Sequence, residues 1–299
     1  MSDDKTTMVI SGASGMIGTA LTQFAEGRGW EVVPLVRDRK ADGIYWSIDD
    51  ESIDIERLEI ADAVVHLAGE NIADGRWSQS HKTAIMQSRV QGTELLAGAV
   101  ASLTEPPEAF VCASGIDYYG DRGDEWVDED DGPGNGFLPE VCQKWEEACQ
   151  AARQVSRVVN TRFSMVLSSE GGALDKMLTP FKWGVGGRLG DGHQYMSWVA
   201  LRDLVRAVVF VIEESDLEGP VNVTSPNPVT NREFTQAMGE ALSRPTPFPV
   251  PSPMLKMAVG GQLADEMLLK GQRARPKRLA EAGFEFEHTD IGETLNALL

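Results

Sequence analysis

The residues with the clearest chemistry lie near the start of the chain, in Ser11-Gly12-Ala13-Ser14-Gly15-Met16-Ile17-Gly18, where three glycines are spaced three and three. An apolar run, Met8 to Ser11, precedes them, and Ile17, Leu21 and Phe24 continue one apolar face afterwards. That is a strand, a turn and a helix, the setting in which such glycines cradle a pyrophosphate. Gly12 permits the tight turn, Gly15 lets backbone N–H groups come close, and Gly18 allows the helix to pack closely on the sheet. The helix N-terminus beside Ser14, Met16 and Ile17 adds positive dipole. A second strand, Glu31 to Val36, ends at Arg37, which is followed by Asp38, Arg39 and Lys40. An acidic residue at that place would hydrogen-bond the ribose 2′-hydroxyl of NAD, whereas a guanidinium matches a 2′-phosphate. The expected cofactor is therefore NADP(H).

The elements that must hold this turn read as alternating strands and helices. Ala63 to Ala68 is a near-continuous apolar run, as expected of a strand buried on both faces. A long helix is expected over 78–103, a strand over 110–113, a helix over 138–153 and a strand over 158–163. This rhythm predicts an α/β fold, a doubly wound parallel sheet of the Rossmann type. Pro34 is the awkward residue, because it withholds a ladder hydrogen bond inside a strand that should be internal. After about Val166 the rhythm breaks into a glycine-rich segment, 168–196, with one helix over 174–183. Helix returns over 201–213 and strand over 221–223. Thr230 and Glu233 spell a capping box. Alternating prolines in 245–253 require extended chain, and a helical tail follows. Residues 1–166 with about 197–222 are expected to form the cofactor domain. About 167–196 with 223–299 would form a smaller α/β substrate domain.

The charge balance is 27 basic against 46 acidic residues, a net −19 over 299 residues. That argues against nucleic acid as a partner, since phosphate binding needs a basic face. No stretch approaches the roughly 18 apolar residues that cross a membrane. The polar N-terminus lacks the pattern of a signal peptide, and three cysteines do not make a disulfide framework. A cytoplasmic protein acting on a small molecule is the expectation, with oligomeric state unreadable. Asp128-Glu129-Asp130-Asp131 has no His or Cys at metal spacing and reads as a solvated loop, so no metal site is expected. His66 reads as a hydrogen-bonded core histidine, Cys142 as a small buried residue, and His193 as a loop residue able to face substrate.

Several further motifs resemble the extended short-chain dehydrogenase/reductases, in an atypical, epimerase-like branch. They are Asp62-Ala63-Val64-Val65-His66-Leu67-Ala68-Gly69-Glu70-Asn71, Ser88-Arg89-Val90-Gln91-Gly92-Thr93, Tyr118-Tyr119-Gly120-Asp121-Arg122-Gly123, Lys144-Trp145-Glu146, Gly219-Pro220-Val221-Asn222 and Pro228-Val229-Thr230-Asn231. The resemblance covers nearly the whole chain. It implies that Leu67, Ala68 and Gly69 line the adenosine side of the cofactor. It also implies that Arg89 stands where an Asn is usual, as a phosphate or ribose contact. Ser114 takes the part of the substrate-orienting serine, although Gly115 fits that place by spacing.

The resemblance further implies a Tyr acid/base with a Lys four residues later on one helix face. Here the pairs four apart are Glu140 with Lys144 and Val141 with Trp145, and neither contains a Tyr. Lys144 remains as cofactor support, and Tyr118 or Tyr119 as a substitute phenol. Two functions follow: an NADP(H)-dependent oxidoreductase or epimerase acting on a small or nucleotide-linked polar substrate, or a catalytically degenerate NADP(H)-binding, redox-sensing protein.

Overall fold

Residues 5–299 are described by the structure, a computed structural model. Its first half alternates as expected. Thr7–Ser11 forms β1, Met16–Gly27 α1, Glu31–Val36 β2 and Ile44–Ser47 β3, followed by β4 (Ser52–Ile53) and α2 (Ile55–Leu58). Ala63–His66 is β5, Gln79–Ala101 α3, Ala109–Gly115 β6, Trp126–Val127 β7, Phe137–Glu147 α4 and Arg157–Phe163 β8. Then come β9 (Met165–Leu167), α5 (Gly172–Lys182), β10 (Tyr195–Met196), β11 (Trp198–Ala200), α6 (Leu201–Glu213) and β12 (Gly219–Val223). The chain ends with β13 (Val229–Thr230), α7 (Asn231–Ala241), α8 (Ser252–Val259), α9 (Gly261–Leu263), β14 (Arg273–Ala274), α10 (Lys277–Glu281) and α11 (Ile291–Leu298).

The main sheet has eight strands in the order β12-β8-β6-β5-β1-β2-β3-β4, all parallel except for the β3–β4 pairing. Order reverses between β1 and β5, so the crevice at their carboxyl ends is where a dinucleotide fits. Strand residues alternate between two cores. Met8, Ile10, Val65, Val111 and Val159 meet α1 and α6 on one face, while Val9, Val64, Phe110 and Val158 meet α3 and α4 on the other. Burial on both faces is why these strands read as continuous apolar runs. Pro34 is accommodated because β2 pairs with β3 only from Leu35 onward, leaving the proline just outside that ladder.

A third core, built on Leu167, Leu178, Phe181, Trp198, Phe234, Met238 and Leu295, marks the smaller unit. Its α7 begins with the expected capping box. The C-terminal stretch assigned by sequence to this unit partly returns to the main sheet: Leu279 and Phe284 pack among the residues of the first core.

Local expectations need four corrections. The helix expected over 138–153 stops at Glu147 and continues as two 3₁₀ turns. The proline segment is extended only to Pro251, because a proline in the first turn of α8 costs no helical hydrogen bond. The tail is not wholly helical, since β14 leaves it to pair with β7. The acidic run is not a solvated loop: Asp128 and Glu129 are buried. Arg275 Nε donates to Asp128 (3.0 Å), Lys277 pairs with Asp130, and the Asn222 N–H donates to Glu129 (2.9 Å). The run therefore docks the tail onto the sheet edge. Among the described residues no helix is long and apolar enough to cross a membrane.

Candidate active site

The glycine turn lies at the carboxyl end of β1. Gly12 has φ +74°, and a Cβ there would come within 3.0 Å of the Ala68 nitrogen at the end of β5. A Cβ at Gly18 would lie 2.2 Å from the Gly12 carbonyl oxygen, so this glycine is dictated by the turn itself and not by helix-on-sheet packing. Gly15 is the N-cap of α1 and offers no side-chain cap. The first helical N–H groups, on Met16, Ile17 and Gly18, have no partner within the helix. Ser14 and Gly15 are exposed, so these donors open to solvent at a positive helix end. Arg37, just past β2, is exposed and carries no ion pair among the described residues, whereas Arg39 is folded over the Tyr45 ring at 3.7 Å. A cradle a side chain would fill, uncapped amides and an uncommitted guanidinium together fit a phosphorylated dinucleotide.

Beside the turn, the N–H groups of Leu67 and Ala68 donate to Ser11 Oγ (3.1 and 3.2 Å). With its lone pairs engaged, that hydroxyl donates its proton to His66 Nδ1 at 2.6 Å. His66 is fully buried, and burial together with the nearby Arg89 cation pulls its pKa down to about 3, so it is a neutral core residue. The glycine at 69 has a reason the sequence did not show. A Cβ there would lie 3.1 Å from the Arg89 guanidinium carbon. Arg89 is buried beneath it, donates Nη1 to the Glu70 carbonyl (2.8 Å) and lies 4.8 Å from the centre of the Trp145 ring. Its Nε has no hydrogen-bond partner.

The end of β6 carries a buried polar chain that sequence reasoning missed. Ser114 Oγ donates to Glu146 Oε1 (2.8 Å), and Arg162 grips the same carboxylate through Nε and Nη2, both at 2.8 Å. Arg162 Nη1 donates to Tyr119 Oη (2.9 Å), which donates to Asn222 (2.8 Å). Burial opposes the Arg162 charge, but Glu146 and Tyr119 outweigh it and raise its pKa. Burial pushes the Tyr119 phenol up, which keeps it protonated. Tyr118 lays its ring over the Arg162 guanidinium at 3.5 Å. Ser114 and Tyr118 thus meet on one ion pair.

Lys144 does not join them. It sits on the solvent face of α4, paired with Glu140 at 2.6 Å. The inward face presents Leu138, Val141, Cys142 and Trp145, with the Cys142 thiol beside Gly115 at the end of β6. A period count along α4 from Leu138 would have found this stripe, with Glu146 on its edge. For Arg162, inside a buried strand, the sequence held no signal.

Asp117, three residues past Ser114, was also missed. A Cβ at Gly115 would lie 3.3 Å from Asp117 Oδ2 and 3.6 Å from Cys142 Sγ, so the carboxyl and the thiol share the space between β6 and α4. Burial, then the Glu266 carboxylate, pushes the Asp117 pKa up to about 6. Burial, then Asp117, pushes the Cys142 thiol up to about 12, which leaves it un-ionised and a poor nucleophile.

The smaller unit completes the cleft. A Cβ at Gly172 would lie 3.0 Å from the Met16 thioether, Lys176 pairs with Asp74 (2.9 Å), and Arg76 donates to the Met257 carbonyl (2.7 Å). Glu266 Oε2 accepts from the Leu138 N–H (3.0 Å) at the start of α4. His193 lies on an exposed turn, its N–H bonded to Asp191.

Sequence and structure comparisons identify relatives along nearly the whole chain. Over 295 residues the chain is 43% identical to the epimerase family protein ML0860 of Mycobacterium leprae, covering 98% of this chain and 95% of that one. It is 35% identical over 295 residues to the human epimerase family protein SDR39U1, covering 98% and 99%. The crystal structure of human SDR39U1 isoform 2 with NADPH superposes with a TM-score of 0.89 at 34% identity, covering 98% of each chain. A nucleoside-diphosphate sugar epimerase from Corynebacterium glutamicum superposes at 0.82 with 35% identity, covering 99% of this chain and 58% of that one. Residues 250–298 match a domain of unknown function, DUF1731. Residues 8–224 match the model of the NAD dependent epimerase/dehydratase family, and the chain belongs to that family as an atypical extended short-chain dehydrogenase/reductase.

Proposed function

We propose that the protein is an NADP(H)-dependent oxidoreductase or epimerase that works on a small or nucleotide-linked polar substrate in the cleft between the main sheet and the smaller unit. The observation that carries this reading is the uncapped glycine turn with an uncommitted arginine just past β2. The N–H groups of Met16, Ile17 and Gly18 would hold the pyrophosphate, with Ser14 at the turn's exposed corner. Arg37 would take the 2′-phosphate, and Leu67 and Ala68 would wall the adenosine side. Arg89, whose partners are carbonyls below Gly69, would act by shaping that wall. When bound, the dinucleotide supplies hydride chemistry. Ser114, oriented by Glu146 and Arg162, would position a substrate hydroxyl or carbonyl, and Tyr118 would cover that position. The human relative solved with NADPH supports the choice of cofactor. A net charge of −19 repels polyanions, which supports small-molecule partners and a soluble, cytoplasmic setting over nucleic acid or membrane.

A second reading is favoured by one observation. The buried pairs four apart on α4 are Leu138 with Cys142 and Val141 with Trp145, neither of which supplies an acid or base at neutral pH, and Lys144 faces solvent. Under that reading the protein holds NADP(H) without turnover.

Titration calorimetry tests the cofactor assignment. Arg37→Ala should weaken NADPH binding by about one to two decades, as loss of a charge-assisted pair worth roughly 1.5–3 kcal/mol requires. NADH affinity should stay unchanged. An equal loss for both dinucleotides would move the 2′-phosphate contact elsewhere, and no heat with either would remove the functional reading. Oxidation of NADPH across a library of carbonyls and sugar nucleotides then separates an enzyme from a binder.

A further inference from the structure

The cleft needs a group that can give and take a proton, and most candidates are spoken for. Tyr119 is buried and bonded to Arg162 and Asn222, Glu146 is gripped by Arg162 and Ser114, and Cys142 does not ionise near neutrality. Lys144 points away, and His193 is on an exposed turn. One carboxyl remains at the end of β6. We propose that Asp117 is the proton-transfer group of the cleft, taking over the part that a helix-borne tyrosine plays elsewhere in the superfamily; this rests on the NADP(H)-dependent reading above.

The geometry has three parts. Asp117 comes three residues after Ser114 and two after Gly115, on the 3₁₀ turn Ile116–Tyr119 at the carboxyl end of the sheet. Its carboxyl occupies the space beside Gly115 and Cys142, against the inward face of α4. It also lines a small cavity between the two units, with Asp121, Asn135, Leu138, Glu266 and Lys270. The charged and titratable groups facing it are Glu266 from the turn after α9, Arg89 from α3, Cys142 from α4, and Asp121 and Lys270 across the cavity. Burial and Glu266 favour the protonated acid, while Arg89 opposes it, which leaves the group balanced near pH 6. A carboxyl so balanced can both donate and accept near neutral pH.

In reduction of a carbonyl, the Asp117 O–H bond breaks and its proton bonds to the carbonyl oxygen. The carbonyl carbon takes a hydride from the reduced nicotinamide dinucleotide. One hydride and one proton are added, C=O becomes CH–OH, and water re-protonates the carboxylate. Oxidation of an alcohol runs the same transfers backwards.

The first test needs no turnover. In full-length protein labelled with carboxyl-¹³C aspartate, one resonance should titrate near pH 6, vanish in Asp117→Asn and move to lower pH in Glu266→Gln. The second follows NADPH absorbance with 9,10-phenanthrenequinone and an aromatic aldehyde as probe carbonyls, from pH 5 to 8.5. Asp117→Asn should keep NADPH affinity within about threefold yet lose about 100-fold or more in kcat. Asp117→Glu should recover part of the rate with a displaced pH limb, which a packing role would not produce. Wild-type turnover with Asp117→Asn unchanged in rate and pH profile overturns the proposal alone. So does a wild-type spectrum with no aspartate titrating between pH 5 and 7. Wild type that binds NADPH but reduces no probe overturns the enzymatic reading and the proposal with it.

Discussion

Gly18 shows how sharply a single position constrains the site. Its neighbours are backbone atoms, the Gly12 carbonyl at 2.2 Å and Ala13 Cα at 2.8 Å from a would-be Cβ, and no flexible side chain is there to yield. Gly18→Ala must therefore push the first turn of α1 off the glycine loop. Forced overpacking typically costs about 1–3 kcal/mol, and the amides around Met16 would lose their alignment. Thermal unfolding should fall by several degrees, and NADPH affinity by more than tenfold. If both are unchanged, the turn is looser than described. Asp117 makes a second prediction, in stability. A carboxyl raised from 3.8 to about 6 binds its proton more tightly folded than unfolded. Its relative contribution is greatest below about pH 4 and is lost as pH rises through 6. Asp117→Asn, which cannot ionise, should gain on wild type as pH goes from 5 to 8, by on the order of 1 kcal/mol once partial solvation is discounted. Paired chemical denaturation curves at the two pH values would show a pH-independent difference if the carboxyl were ordinary.

Elements divide cleanly into those the sequence announced and those it did not. The strands β1, β5 and β6 were legible because burial on both faces favours apolar runs, β8 by the shorter run Val158-Val159, and the glycine spacing fixed the turn between β1 and α1. The His66 core reading was equally local, as was the placement of Arg37 just past β2. Glu146, Arg162 and Asp117 were not legible, because their meaning depends on which face of α4 turns inward and on strands far apart in the chain. Lys144 shows the same limit: spacing placed it four from Glu140, but only packing decides that this stripe faces water. The acidic run at 128–131 failed for a related reason, since its cations arrive about 147 residues later. The β6–α4–β8 junction makes its own prediction. Arg162 is nearly inaccessible and holds Glu146 by two hydrogen bonds. Removing one partner of a buried pair leaves an uncompensated charge, at a cost of about 3–5 kcal/mol. Arg162→Met should destabilise by about that amount, while the surface substitution Lys144→Met should change stability by less than about 0.5 kcal/mol. Equal effects in urea unfolding would mean that the buried pair carries no more than the exposed one.

At the scale of the whole molecule, a net charge of −19 works against both compactness and the anionic cofactor. The fold meets this locally. Arg275 and Lys277 neutralise the acidic run, Arg206 pairs with the buried Asp203, and an uncommitted cation, Arg37, is kept beside the nucleotide turn. The remaining acidic surface is screened only by salt, whose reach shrinks from about 10 Å at 0.1 M to about 3 Å at 1 M. Surface self-repulsion should therefore fall as sodium chloride rises, while buried pairs such as Arg162–Glu146, shielded from ions, keep their strength. The melting temperature should climb over this range, against the usual weakening of exposed salt bridges, because like charges outnumber the pairs. A control isolates the cause. Glu26, Glu94 and Glu147 are exposed, so converting all three to Gln lowers the net charge from −19 to −16 without touching the cleft. That variant should melt higher than wild type at 0.1 M, and the two should converge by 1 M. Parallel melting curves at every salt concentration would mean that salt acts on apolar burial, and that the acidic surface plays no part in stability.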